Sequence, residues 1–360
     1  MKAARLHEIG KPLQIDEVPD PVAGAGEVVV KVEAVHVAPS MSIARTGAPN
    51  PAYVLPPLPA ILGTDVAGVV ESVGEGVAGI QVGQKVYVDA MLSMGGSFYD
   101  QIGAGRMNPN SAFIGLFTFS PQAVELLERY PGGLAEQMKV PAAQVIPLPD
   151  QVSYIHGARL GYLGTAYHAV KRAGVGPGSV VVINGATGNL GVGAVMSALA
   201  LGATRVIAIG RKPERLAQVQ TLAPERITPL NSAGDIAGAI RSLTSGLGAD
   251  ALVDTLGYAD TSTTSQAVFG LRSGGSAVMV GGGQGQLTFP YAYFLGTEVN
   301  LTGSLWFSHS EALELLRLIE SRVIDLNRLD FKVFSLDQAD AALELASTSP
   351  GGFTSVVVCP

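Results

Sequence analysis

The sequence predicts an α/β protein of two domains, one β-rich and one built on a doubly wound parallel sheet. Three observations carry that expectation. The chain has 360 residues, more than one ordinary core holds. Residues 1–90 alternate at β period between turn signals. Residues 179–212, SVVVINGATGNLGVGAVMSALALGATRVIAIGRK, read as strand, glycine turn, helix and strand. That order within about thirty residues is a βαβ unit.

Taken in order, GEVVVKVEAVHV (26–37), VAGVVESVGEGV (66–77) and VGQKVYVDA (82–90) are short antiparallel strands separated by glycine turns. Residues 91–130 are rich in Gly, Ser, Asn and Met and end in PQAVELLERYPGG; they read as a long excursion, a functional or mobile loop with one short helical segment. GGLAEQMKVPAAQVIPLPD (132–150) returns to a strand and a Pro-punctuated link, and helical patterns fill 154–174. After the βαβ unit come AGAIRSLTSGLG (helix), ADALVDTLG (strand), TSQAVFGLRSGG (helix), SAVMVGGG (strand) and VNLTGSLW (strand), an alternation that predicts a parallel sheet covered on both faces. HSEALELLRLIES (309–321) is an amphipathic helix with apolar Leu313, Leu316 and Ile319. The tail adds a helix and a last strand returning to the first domain.

The glycine turn has a mechanism. Gly185, Gly188 and Gly191 let the chain bend, bring the N–H groups of the turn 185–191 (with Ala186, Thr187, Asn189 and Leu190) against a pyrophosphate, and seat the helix on the strand. The helix dipole adds partial positive charge there. An acidic residue about 20 positions beyond the glycines would hydrogen-bond the ribose 2′-OH of NAD. Gly210 stands there instead, followed by Arg211 and Lys212, with Arg215 close behind. That combination leaves room and charge for a 2′-phosphate, so the cofactor expected is NADP(H). The alternative for Arg211 and Lys212 is a solvated helix start, since Pro213 and Glu214 follow.

Composition closes off other classes. Apolar residues make up 47% of the chain and mean hydropathy is +0.33, yet Gly or polar residues interrupt every run before the about 18 apolar residues of a membrane span. The first residues carry Lys2, Arg5, His7 and Glu8, without the apolar core of a signal peptide. Cys359 is the one cysteine, which excludes an internal disulfide and multi-cysteine zinc sites and predicts a cytoplasmic protein. A net charge of −7 without basic clusters predicts no nucleic-acid partner.

End to end, the chain resembles the medium-chain dehydrogenase/reductase superfamily of zinc alcohol dehydrogenases and quinone oxidoreductases. LGTDVAGVVESVGEGV, VGQKV, GGLAEQMKVPA, GTAYHAVKRAGVGPGSVVVINGATGNLG and FSLDQADAALELASTSPGGFTSVVV carry the resemblance, in the family's order. It implies a GroES-like β-rich catalytic domain (1–160 and 306–360), a Rossmann NADP-binding domain (161–305), hydride transfer from a nicotinamide, and a homodimer paired through VNLTGSLW. Zinc-dependent members hold the catalytic metal by a Cys, a His followed by Glu, and a second Cys or Asp. Here the resemblance puts Ala38, Thr64 with Asp65, and Tyr162 at those positions, and the excursion stands without cysteines where the family has a structural zinc lobe. Neither zinc is expected. VAPSMSIARTG is near the quinone-reductase pattern V-N-P-x-D-x-x-x-R-x-G, with Ala38 and Met41 in place of its Asn and acidic residue.

Without zinc, the alkoxide or enolate formed by hydride addition must take hydrogen bonds from the protein. By the resemblance, Ser40, Thr64 and Tyr162 are the candidate donors. Tyr162 is first among them, and filling a vacated metal cavity is the other reading of that residue. Asp65 would orient a hydroxyl or water, or accept structural backbone bonds. Thr165 falls beside the nicotinamide, or is an ordinary helix-start hydroxyl. Leu256, Gly257, Val280, Gly281 and Leu305 fall where the family's backbone holds the cofactor. Met41, Tyr53 and Trp306, with residues of the 91–119 excursion, would border an apolar substrate pocket, although a single Trp is commonly packing. His36 and His168 read as structural. The function expected is zinc-independent NADP(H)-dependent reduction of a small apolar carbonyl or activated C=C, an enone or quinone. An imine or iminium reductase, or an NADPH-binding regulatory protein without turnover, is the alternative.

Overall fold

The computed structural model describes residues 1–47, 53–257, 261–282 and 285–360, and they form two compact units. One comprises Met1–Gly161, Leu329–Pro350 and Thr354–Pro360; the other comprises Tyr162–Arg328 and Gly351–Phe353. The chain passes between them inside the helix Leu160–Arg172. Residues 306–328, expected with the β-rich domain, fall in the second unit, because the helix His309–Glu320 packs there through His168.

The second unit is a six-stranded, all-parallel sheet in the order Ile227–Asn231, Arg205–Gly210, Val180–Asn184, Ala249–Asp254, Leu271–Met279, Asn300–Gly303. The order reverses beside Val180–Asn184, the arrangement of a doubly wound Rossmann sheet, whose ligands bind at the carboxyl ends of the strands. Val181, Val182 and Ile183 are fully buried, as the β-branched run requires. The last strand is shorter than VNLTGSLW suggested. It ends at Gly303, and Trp306 turns at φ 56°. His309–Glu320 begins with a capping box in which Ser308 and Glu311 satisfy each other's backbone N–H groups. Its buried face is Ala312, Leu315, Leu316 and Ile319; Leu313, assigned to that face from the sequence, is exposed.

The first unit is the GroES-like part. Its central strand Glu27–His36 pairs antiparallel with Asp65–Val73, Gln137–Pro141 and Thr354–Cys359. The chain's last strand therefore does return to this sheet, where Asp330–Ser335 joins it in parallel. A smaller sheet holds Lys2–Leu6, Gln14–Glu17 and Ala60–Ile61.

The excursion is more ordered than its composition predicted. Met91–Ser93, Ser111–Phe113 and Phe117–Thr118 make a three-stranded sheet, flanked by the helices Phe98–Gln101 and Val124–Arg129. Short-range polar bonds, invisible to periodicity, hold it. The Asp100 carboxylate accepts bonds from Ser93 Oγ (2.6 Å), the Ser97 N–H (2.9 Å) and Asn108 Nδ2 (2.9 Å). At its far end, Arg129 Nη2 lies 2.7 Å from the buried Glu27 carboxylate and Tyr130 Oη donates to it at 3.0 Å. Burial alone would raise Glu27, but these bonds, the Gly24 N–H and Lys139 bring it down to about 2.

Candidate functional site

The candidate residues are divided between the two units. In the second unit, Gly185 has φ 79°, the left-handed region that favours glycine, and its carbonyl accepts the Gly188 N–H at 3.0 Å. Gly188 is the N-cap of the helix Asn189–Ala200 and offers no side-chain cap, so the turn ends at a helix N-terminus, a place where backbone N–H groups and the dipole favour an anion. A Cβ on Gly191 would overlap the Gly185 carbonyl and come within 2.8 Å of Ala186 Cα, so the helix seats on the strand only with glycine there. Ala186 is fully buried and its N–H goes to the Ile209 carbonyl, so it braces the turn instead of offering a donor.

The carboxyl end of the central strands closes around the same turn. Asp254 accepts from Asn184 Nδ2 (3.1 Å) and Thr264 Oγ1 (2.9 Å), and its backbone carbonyl takes both the Val280 and Gly281 N–H groups at 3.0 Å. Burial pushes the Asp254 carboxyl up. A Cβ on Gly281 would be 2.6 Å from the Leu256 carbonyl carbon, and one on Gly185 would be 3.0 Å from Leu256 Cδ2. Leu256 thus lies beside the glycine turn with Gly281 packed on it, and a Cβ on Gly257 would meet nothing within 4 Å among the described residues. Leu305 is exposed, and Thr165 is half-buried inside the helix Leu160–Arg172, not at its start.

Sequence reasoning missed Gly352. Its N–H donates to the Thr187 carbonyl at 2.8 Å, and a Cβ there would come within 2.7 Å of the Gly188 carbonyl carbon. Gly352 therefore supports the turn, a long-range contact without local signal.

At the end of Arg205–Gly210, a Cβ on Gly210 would meet Thr187 Cγ2 at 3.0 Å and Leu216 Cδ2 at 3.1 Å, so an acidic side chain has little room. Arg211 and Lys212 are exposed and Arg215 is half-buried. None of the three pairs with a carboxylate among the described residues.

Also in this unit, Trp306 is buried and stacks on Phe307, 4.8 Å between centroids, and Phe307 packs against the helix at Gly164. His168 Nδ1 is 2.8 Å from Glu311 Oε1, a tie between helices. Burial would raise Glu311, but His168 and Ser308 bring it down to about 2.

In the first unit, Ala38 is the N-cap of the helix Pro39–Thr46, which carries Ser40 half-buried and Met41 wholly buried. Asp65 opens its strand opposite His36. Tyr87 Oη donates to Asp65 Oδ1 at 3.0 Å, His36 Nδ1 lies 3.6 Å from Oδ2, and Arg159 Nη1 is 3.0 Å from His36 Nε2. All four side chains are buried. Arg159 has no acceptor function, so it donates to Nε2 and leaves the His36 proton on Nδ1, facing Asp65. Burial holds the imidazole below its usual range, and therefore neutral. Burial and the neighbouring Asp65 hold the Tyr87 phenol well above its range, and therefore protonated. Asp65 thus sits in a buried network that takes a hydrogen bond from Tyr87 and reaches the Arg159 cation through His36. Neither Arg159 nor Tyr87 was found from sequence.

Beside it, Thr64 is 6% exposed and its Oγ1 has no hydrogen-bond partner among the described residues. The sequence put the last metal-ligand position at Tyr162. In this unit the residue whose open face meets the Asp65 carboxylate is Gly161, where a Cβ would be 2.5 Å from Asp65 Cγ. Tyr162 is half-buried and begins the second unit. The side chains at the positions the resemblance implies do not fit a tetrahedral N/S zinc site: Ala38 offers no donor, Thr64 a hydroxyl and Tyr162 a phenol, and Asp65 accepts from Tyr87. Among the described residues no three His, Cys, Asp or Glu side chains group as a metal site.

Comparison with known proteins agrees with this architecture. Residues 24–150 match the family model of the alcohol dehydrogenase GroES-like domain, and 190–321 that of zinc-binding dehydrogenases. An NAD-dependent alcohol dehydrogenase of Sulfurisphaera tokodaii is 29% identical over 349 residues, 96% of each chain. Sorbitol dehydrogenase of Bacillus subtilis is 26% identical, over 100% of this chain and 97% of its own. A solved structure from Sinorhizobium meliloti, described as a zinc-binding dehydrogenase bound to NADP, superposes with a TM-score of 0.84 at 25% identity, over 100% of this chain and 99% of that one. Glycine turn, parallel sheet, GroES-like sheet and both family models converge: the chain belongs to the medium-chain dehydrogenase/reductase superfamily.

Proposed function

We propose that this oxidoreductase uses NADP(H) and no catalytic zinc, and that it reduces a small apolar carbonyl or an activated C=C. The observation that carries the reading is the buried, unpartnered Thr64 hydroxyl, at a position where the family's resemblance implies a metal ligand. A buried hydroxyl without a partner costs about 1–3 kcal/mol, which a substrate oxygen accepting its proton would recover. The bound cofactor would supply a hydride at its nicotinamide; the turn 185–191 would hold its pyrophosphate, and Arg211, Lys212 and Arg215 its 2′-phosphate. Thr64, with Ser40 and Tyr162 as the other candidate donors, would hydrogen-bond the oxygen on which charge develops. An activated alkene places the least demand on such neutral donors, since its charge is delocalised on an enolate and solvent protonates the α carbon.

The unpaired cations at 211, 212 and 215 support NADP(H) over the NAD of the Sulfurisphaera relative. The exposed edge strand Asn300–Gly303 supports a homodimer. No helix among the described residues is long and apolar enough to cross a membrane, and the substrate is read as a small molecule. The test is NADPH oxidation with enones, quinones and small ketones, against NADH. Turnover at least about tenfold more efficient with NADPH is expected; preference for NADH, or tight NADPH binding with no turnover of any carbonyl, enone or imine, overturns it.

A further inference from the structure

The excursion's sheet builds something that neither the family models nor the glycine turn explains. Tyr53 stacks on Phe117, 4.0 Å between centroids and 8° from parallel. Phe119 stands edge-on to both, at 5.8 Å from Tyr53 and 5.4 Å from Phe117, and Phe113 closes the group at 5.4 Å from Phe117. Two chain segments make the group, joined by paired backbone bonds between Val54 and Thr118 (2.9 and 2.8 Å). Phe113 is buried, but the other three rings are half-exposed, and the Tyr53 hydroxyl has no hydrogen-bond partner among the described residues. A satisfied core would cover these rings. Neither 53–64 nor 111–120 contains a charged residue.

The group is fastened next to Thr64. The turn between Phe113 and Phe117 has Gly115 at φ 65°, and the Gly115 carbonyl accepts the Gly63 N–H at 3.1 Å. A Cβ on Gly115 would lie 2.6 Å from both the Gly63 carbonyl oxygen and Gly132 Cα, so the contact exists only between glycines. Phe113 and Phe117 are each two residues from this contact, about 7 Å along an extended chain. Thr64 is one residue from it. A half-open aromatic wall and a buried, unpartnered hydroxyl are thus locked together in one unit.

We propose that this wall selects the substrate: a neutral carbonyl or enone bearing an aromatic ring, with the ring on Tyr53, Phe117 and Phe119 and the oxygen on Thr64 Oγ1. The assignment rests on the reductase reading above and narrows it away from polyols and charged acids. A charge-free aromatic surface gains from a flat apolar ring and gives nothing to a sugar hydroxyl.

The test is calorimetric binding to the protein saturated with NADP+, where no reduction occurs, using benzylideneacetone and its alkyl counterpart methyl propenyl ketone. NADPH turnover of both is measured in parallel. The wild type is expected to bind the aryl enone about tenfold more tightly, and Phe117→Leu to bring the two within about threefold while NADP+ affinity stays unchanged. Tyr53→Leu, at the other segment, gives the same readout if Phe117→Leu does not fold. Equal affinities in the wild type, a preference that survives both variants, or binding of neither enone overturns the wall. Aryl-selective binding lost in the variants, with no turnover of either enone, upholds the wall and overturns the reductase reading. Turnover of methyl propenyl ketone without aryl preference does the reverse.

Discussion

Asp65 shows how one residue's surroundings decide its role. A buried carboxylate needs hydrogen bonds or charge nearby, and here Tyr87 donates to Asp65 while His36 stands between it and the Arg159 guanidinium. Arg159→Ala removes that cation from the buried network, with an expected loss of about 3–5 kcal/mol, read as a drop of about 10 °C in thermal midpoint. The same network sets a pH dependence. Because burial depresses His36 in the folded state, the unfolded chain takes up the proton first as pH falls. Stability is undiminished above about pH 6.5 and declines below it; a His36→Asn variant in which the decline between about pH 6.5 and 5 persists unchanged would rule His36 out as its source. At the other end of the chemistry, Arg211→Ala combined with Lys212→Ala is expected to weaken NADPH binding about tenfold or more and to leave NADH unchanged, by fluorescence titration. The strand, glycine turn and helix around 185–191 and the strand end at Gly210 were legible in the sequence because they are written in local chain geometry. Arg159, Tyr87 and Gly161 were not, because what they touch lies far along the chain.

At the scale of elements, the parallel strands declared themselves through β-branched runs buried on both faces. The excursion did not, since its order comes from Asp100 and from rings on separate segments. Leu313 was misplaced because the run ALELLRLI offers two overlapping apolar stripes at helical spacing, and only the neighbours choose between them. The stripe that packs runs through Ala312, Leu315, Leu316 and Ile319. The segment Gly351–Phe353 carries the sharpest element-level prediction. Gly352→Ala is expected to push back the Gly188 carbonyl and the glycine turn, weakening NADPH binding about tenfold or more while the thermal midpoint falls by only a few degrees. Unchanged NADPH affinity would show that the segment does not support the turn.

At the scale of the molecule, the two units have different histories in the sequence. The Rossmann sheet keeps the features of its family, from the turn at Gly185 to the last strand Asn300–Gly303. The GroES-like unit carries Ala38, Thr64 and a hydrogen-bonded Asp65, which the family resemblance puts, with Tyr162, at the positions of metal ligands. Catalysis without zinc is therefore the central claim, and it follows from the donor chemistry of those side chains. The most direct measurement is the rate of NADPH oxidation with benzylideneacetone and with a small alkyl enone after exhaustive dialysis against a strong chelator, compared with the same protein resupplied with zinc. The account predicts equal rates before dialysis, after it and after resupply. Activity lost on dialysis and restored by zinc would contradict it.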